Sequence, residues 1–160
     1  MIVKWITVNV LTIFIILFWS FINGYDSNYI LMGKILAQAA FILFLININM
    51  YFVFLLIRKS KVRQVKIKLA KISKEMMKYH IPIGITATLL IFLHSAIMIY
   101  THIEDFWILK TTSGILSIGI LPLLLYSGLL RRWKASGRRR RFHYTMAFIF
   151  FGTVLIHIFI

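Results

Sequence analysis

The chain has 160 residues; 61% are hydrophobic and only four are acidic, against 19 Lys and Arg residues and a net charge of +15. So large an apolar fraction excludes an ordinary soluble domain, which needs polar side chains to cover its surface. The absence of Cys excludes disulfides, thiolate zinc sites, iron–sulfur clusters and covalently attached c-type haem. We therefore expect an integral membrane protein.

Five apolar segments follow one another along the chain, at residues 5–22, 35–57, 80–101, 111–130 and 142–160. Each has about 18 to 23 residues, which is enough to cross a bilayer as a helix. The sequence thus predicts a single all-α domain, a bundle of five transmembrane helices. The first segment has a second interpretation, a signal peptide with Lys4 as its charged region. Its length and the lack of a small-residue cleavage motif favour an uncleaved helix.

The basic residues are concentrated in two segments between apolar spans. Nine of them lie in 58–79 and seven in 131–141. Short basic loops stay on the cytoplasmic side, so we expect a multi-pass protein of the cell membrane with its amino terminus inside and its carboxy terminus outside. Three of the four acidic residues (Asp26, Glu104 and Asp105) then fall in outer loops. The same distribution argues against nucleic acid as a partner.

The first basic segment, 58–79, has an amphipathic pattern. Its apolar residues recur at steps of three and four: Val62, Val65, Leu69, Ile72 and Met76. This predicts a cytoplasmic helix lying on the inner leaflet, with its lysines toward anionic lipid headgroups. A docking face for an acidic cytoplasmic partner is the other interpretation.

Two pairs of histidines have the same spacing inside two of the apolar segments. His80 and His94 are fourteen residues apart in the third segment, as are His143 and His157 in the fifth. Fourteen residues make nearly four helical turns, so both members of a pair share a face, roughly 21 Å apart along the axis. Intramembrane histidines also serve as interhelical hydrogen-bonding groups. The two pairs have equal spacing, the same helical phase and matched depths in the membrane. These three features favour a role as metal ligands over this structural role.

Helices three and five both start on the cytoplasmic side, so their histidines match by depth. His80 pairs with His143 near the inner surface, and His94 pairs with His157 near the outer surface. Each pair suits bis-histidine ligation of one non-covalent b haem, placing two haems between helices three and five. One metal ion bound by all four side chains is excluded, because ligands must converge within about 2 Å of the ion.

Several neighbouring residues fit this interpretation. Gly84 and Ala147 each follow an inner histidine by four residues, where a flat macrocycle needs close backbone approach. Ala87 and Phe150 lie midway between the histidines of their segments. Phe150 is a candidate aromatic between the haems, and ordinary packing is its alternative. Pro82 is expected in the first turn of the third helix, where a missing N–H is tolerated.

The charged residues beside the inner histidines are candidate partners of haem propionates: Lys78, Arg140 and Arg141. The positive-inside rule would place cations there in any case. His102 belongs to neither pair and precedes Glu104 and Asp105. That outer patch is either a metal or electron-acceptor site or simply a solvated polar loop.

The motif of two histidine pairs on the third and fifth segments resembles the ferric reductase-like transmembrane family. That family includes the membrane parts of ferric-chelate reductases and NADPH oxidases, and the haem-binding subunit of a bacterial periplasmic methionine sulfoxide reductase system. The resemblance covers about residues 80–160 and implies two b haems that carry electrons outward. Only the four histidines transfer, with Phe150 as a candidate inter-haem aromatic. The family's sixth helix is absent, as is any Gly-rich dinucleotide motif.

We therefore predict a di-haem electron-transfer protein, the haem-bearing membrane subunit of an oxidoreductase. A separate cytoplasmic flavoprotein or a quinol would reduce it, and an outer acceptor (ferric iron, oxygen, a quinone or a partner protein) would oxidise it. One alternative is a haem-binding sensor or carrier without turnover. A second is a quinone-linked cytochrome b subunit, whose helix order differs. A third is a transporter or structural bundle whose histidines relay protons or make hydrogen bonds.

Overall fold

The structure, a computed structural model, describes residues 2–102 and 107–160. Five α-helices form this part of the chain: α1 (Ile2–Ile22), α2 (Asn28–Lys59), α3 (Arg63–Thr101), α4 (Leu109–Trp133) and α5 (Gly137–Phe159). All five are long and apolar enough to cross a membrane. This confirms the predicted all-helical class and the predicted number of candidate membrane spans.

Helices α2 and α5 begin several residues before their apolar segments, each after a serine cap. The Ser27 side chain accepts a hydrogen bond from the Ile30 amide, so α2 starts at Asn28 and not near residue 35. Ser136 caps the Arg139 amide in the same way at the start of α5. The Arg-rich stretch before the fifth apolar segment is therefore the first turn of a helix and not a loop.

Helix α3 is continuous over 39 residues and includes most of the basic amphipathic segment. That stretch is therefore no separate helix, since part of its apolar face packs inside the protein. Leu69 joins Val53 and Leu56 of α2 in a buried cluster, with Val65 and Met76 against it. Pro82 consequently lies in the interior of α3, and its prediction as a first-turn residue was wrong.

Helices α1, α2 and α3 form one compact unit. A short connection, residues 60–62, joins α2 and α3 in an antiparallel hairpin. Helix α1 is attached to α2 through a polar contact within the apolar segments: Trp5 Nε1 donates to Asn49 Oδ1 at 2.7 Å, and Asn49 Nδ2 donates to Asn9 Oδ1. Interhelical hydrogen bonds of this kind stabilise helix pairs in a bilayer, where the hydrophobic effect does not favour helix association.

Helices α4 and α5 form a second compact unit, a hairpin joined through residues 134–136. Its packed face on α4 is made of small and branched residues: Ser113, Ser117, Leu121, Leu124 and Ser127 are all buried. Lipid cannot form hydrogen bonds with the hydroxyl groups of these serines, so the hydroxyls need partners within the protein. The partners of Ser113 and Ser127 define the site described next.

Candidate functional site

His94 of α3 is hydrogen-bonded to the backbone of α2. Its Nδ1 lies 2.9 Å from the carbonyl oxygen of Gly33. A carbonyl can only accept, so Nδ1 must carry the hydrogen, and the neutral ring then keeps an unprotonated Nε2. A side chain at Gly33 would overlap the end of Met98, so glycine allows the two helices to approach here.

His80, four turns away on α3, is bound to α2 through its main chain. Its carbonyl oxygen accepts a hydrogen bond of 3.1 Å from Asn47 Nδ2. Gly84 faces the same amide group, since a Cβ there would lie 3.4 Å from Asn47 Nδ2. Asn47 and Gly33 are themselves fourteen residues apart, so α2 contacts both histidines of α3 in one antiparallel register.

His143 of α5 is held by Ser127 of α4. Its Nδ1 lies 2.9 Å from Ser127 Oγ, and that oxygen also lies 2.6 Å from the Leu124 carbonyl. The hydroxyl has a single hydrogen, which it donates to the carbonyl because the carbonyl cannot donate. Ser127 Oγ therefore accepts from His143 Nδ1–H. As at His94, Nε2 keeps its lone pair.

His157 repeats this arrangement at the other end of the hairpin. Its Nδ1 lies 3.1 Å from Ser113 Oγ and 3.1 Å from the Lys110 carbonyl oxygen. Ser113 Oγ also donates to that carbonyl, at 2.8 Å. Both acceptors again require the hydrogen on Nδ1, so that Nε2 is the unprotonated nitrogen of the neutral ring.

A glycine follows each of these serines and makes room for the imidazole. A Cβ on Gly114 would lie 3.0 Å from His157 Cε1, and a Cβ on Gly128 would lie 3.3 Å from His143 Cε1. Both distances are tighter than ordinary carbon–carbon contact, which is about 3.5–4.0 Å. Helix α4 thus presents the same Ser-Gly pair to each histidine of α5.

Reasoning from the sequence missed this repeated Ser-Gly pair. Its members stand at 113–114 and 127–128, fourteen residues apart like the histidines. Serine and glycine are common in membrane helices, so neither residue type drew notice alone. The signal that could have found them is the spacing, which matches that of His143 and His157.

The remaining predicted site residues are placed as follows. Phe150 is buried, with 3% of its surface exposed, and Ala87 is buried as well. Lys78 is exposed and forms an ion pair with Glu75 at 2.9 Å. Arg140 and Arg141 are exposed near the start of α5. His102 is half-buried, whereas Glu104 and Asp105 of the predicted outer patch lie outside the described residues.

The four histidines of the two predicted pairs have similar surroundings within their own hairpins. All four histidines are half-buried, and three of them have Nδ1 engaged as a donor. In metal sites the second ring nitrogen of a ligating histidine is held in this way by a carbonyl or another acceptor, which fixes the tautomer and the ring orientation. Within residues 2–102 and 107–160, no group of three or more His, Asp or Glu side chains gathers around one point.

Comparison of the chain with models of known protein families, with curated proteins and with solved structures found no match.

Proposed function

We propose that this chain is a multi-pass cell-membrane protein that holds two b haems and passes electrons outward, as the membrane subunit of a ferric reductase-like oxidoreductase. His80 and His143 would ligate the inner haem, and His94 and His157 the outer one. The observation that carries the proposal is the shared state of His94, His143 and His157. In each ring Nδ1 is the donor, so that Nε2 is the unprotonated nitrogen, the form in which a neutral imidazole binds a metal.

The hydrogen bonds to Nδ1 would also hold the histidine rings in a fixed orientation before a metal binds. A histidine ring turns freely about two side-chain bonds, and binding would cost the entropy of ordering it. The Gly33 carbonyl and the hydroxyls of Ser113 and Ser127 already fix three rings. Donation from Nδ1–H also makes the imidazole a stronger electron donor at Nε2.

When bound, two b haems would supply one-electron carriers at two depths of the bilayer. The residues of the chain would hold them, exclude water and set the charge around them. Phe150, midway between the two α5 histidines, is a buried apolar group of the type suited to separate two macrocycles. Arg140 and Arg141 are exposed just before His143 in α5 and would attract propionates. Lys78 would first have to leave Glu75.

The ends of the helices support the proposed orientation. Arg58 and Lys59 end α2, and Arg131 and Arg132 end α4, so the basic residues collect at one end of each hairpin. By the positive-inside rule that end is cytoplasmic. We propose a reduced flavoprotein or a quinol as the donor on this side, and an acceptor outside. The lipid bilayer, and no nucleic acid, accounts for the positive charge.

The first test is the absorbance spectrum of the detergent-purified protein, oxidised and then reduced with dithionite, with haem measured per chain. We expect low-spin b-type bands and two haems per polypeptide. His94→Ala and His157→Ala should each remove the outer haem and leave the inner one. His102→Ala is the matched control and should keep both. Loss of both haems, or of neither, in the first two variants contradicts the pairing.

Electron transfer across the membrane requires a separate test. Vesicles containing the protein are loaded with a reductant, and an impermeant acceptor is added outside. Reduction of that acceptor supports the proposed function. If the haems are reduced while the acceptor stays oxidised, the protein is a haem-binding sensor or carrier.

One observation favours a second candidate function, a polar membrane bundle without haem. The bonds from His143 to Ser127 and from His157 to Ser113 already join α4 to α5. Histidines of a purely structural bundle would be used in this way. This candidate predicts a colourless protein even when it is expressed with ample haem.

A further inference from the structure

Helix α4 contributes no histidine, yet it contacts both histidines of α5 through one repeated motif. At each end a serine donates its hydroxyl hydrogen to the carbonyl three residues earlier and accepts from a histidine Nδ1. The three-residue step is the same in both cases, as is the glycine that follows. Because the hydroxyl hydrogen is committed to the helix backbone, each serine can only accept from its histidine.

We infer that Ser113 and Ser127 are positioning residues that set the reduction potentials of the two haem sites separately, each through its own α5 histidine. The inference rests on the proposed function. Each serine fixes the Nδ1–H tautomer of its ring, and each strengthens that ring as an electron donor. A stronger donor favours ferric over ferrous iron, so each hydroxyl lowers the potential of one site.

The hydrogen bonds that Ser127 and Ser113 accept from their histidines differ in strength. The Ser127 bond measures 2.9 Å and this serine is fully buried, whereas the Ser113 bond measures 3.1 Å. After Ser113→Ala the Lys110 carbonyl, at 3.1 Å, still accepts from His157. Ser127→Ala should therefore have the larger effect, and it should act on the inner site.

The experiment is a redox titration of the purified full-length protein with its bound haem, followed by absorbance. Loss of a partner of a ligating histidine typically changes metal affinity 10- to 100-fold. A tenfold change in the ratio of ferric to ferrous affinity equals about 59 mV for one electron. We expect Ser127→Ala to raise one of the two potentials by such a tenfold change and to leave the other at its wild-type value. Ser113→Ala should raise the other potential, by less.

Two further variants separate positioning from packing. Ser117 is buried on the same helix between the two motifs, and its hydroxyl donates to the Ser113 carbonyl, so Ser117→Ala is the matched control. It should leave both potentials unchanged. Ser113→Thr keeps a hydroxyl and should restore the wild-type potential. If Ser127→Ala does not fold, Ser113→Ala still tests the inference.

Each outcome has a distinct meaning. A wild-type protein without haem overturns the proposed function, and the inference with it. A wild-type protein with two haems whose potentials are unchanged in Ser127→Ala and Ser113→Ala overturns the inference alone. Equal shifts of both potentials in a single variant also overturn it, because they would indicate a general change in packing.

Discussion

Replacement of Gly114 by Ala tests how closely α4 controls the ring of His157. The added Cβ would stand 3.0 Å from His157 Cε1, so ordinary contact requires the ring to move away by about 0.5 Å. Both bonds from His157 Nδ1, to Ser113 Oγ and to the Lys110 carbonyl, start at 3.1 Å. A shift of this size stretches them to about 3.6 Å, beyond hydrogen-bonding distance.

Gly114→Ala should change the free energy of unfolding through two small effects of opposite sign. Loss of the net contribution of a hydrogen bond costs about 0.5–1.5 kcal/mol. Alanine in place of glycine inside a helix gains about 0.8–1.0 kcal/mol. Gly114→Ala should therefore leave the unfolding temperature near that of the wild type while it weakens the hold on His157. A stability measurement alone would miss the effect.

Two other glycines of α4 provide a graded comparison. At Gly128 the added Cβ would be 3.3 Å from His143 Cε1, so a shift of about 0.2 Å suffices and the 2.9 Å bond to Ser127 survives. At Gly119 no atom lies within 4 Å of the added Cβ. Gly119→Ala should be the most stable of the three variants, Gly128→Ala should be close to it, and Gly114→Ala should be lower by about one hydrogen bond.

The assay combines thermal unfolding in detergent with ¹⁵N NMR of histidine side chains in the dithionite-reduced protein. Ring nitrogen shifts report directly which nitrogen carries the hydrogen. We expect the His157 signals to change in Gly114→Ala and to stay at their wild-type positions in Gly119→Ala. Equal unfolding temperatures in all three variants, together with unchanged His157 signals, would refute the assignment of Gly114 as the residue that makes room for this ring.

Two asparagines of α2 give further predictions. Asn47→Ala removes the bond to the His80 carbonyl and should lower stability by about 0.5–1.5 kcal/mol, with faster transfer of the inner haem to apomyoglobin than of the outer one. Asn49→Leu removes the acceptor of Trp5 Nε1 and should cost about 0.6–1.7 kcal/mol, the range of interhelical hydrogen bonds in membranes. Changed tryptophan fluorescence should accompany it. Asn23→Ala, in the connection after α1, is the control for both and should change neither stability nor haem transfer; equal losses in all three variants would contradict both assignments.

The apolar segments of the sequence were enough to predict the helices, whereas their ends depended on neighbouring elements. The number of spans followed from segment length, because a bilayer requires about 20 apolar residues per helix. The start of α3 did not follow from length. Leu69 is surrounded by lysines in sequence but packs on Val53 and Leu56 of α2, and this contact joins the basic segment to the span. Pro82 was misplaced for the same reason.

The histidines of the candidate site could be predicted from the sequence, whereas the groups that hold their rings could not. Histidine is rare and costly within a membrane, so four of them at equal spacing formed a clear signal. The groups that hold the rings are the backbone carbonyls of Gly33 and Lys110 and two serines, Ser113 and Ser127. A carbonyl is present at every residue and carries no sequence signal. The serines gain meaning only from the antiparallel register of α4 and α5.

The fourteen-residue interval has a consequence for how such a chain can change in length. It separates Gly33 from Asn47, His80 from His94, Ser113 from Ser127, and His143 from His157, one pair on each of α2 to α5. One residue gained or lost inside any interval turns its two ends apart by about 100°. The partner helix would then meet only one of its two positions. Natural variants of this chain should therefore lengthen or shorten in their connections and termini, and keep these four stretches at constant length.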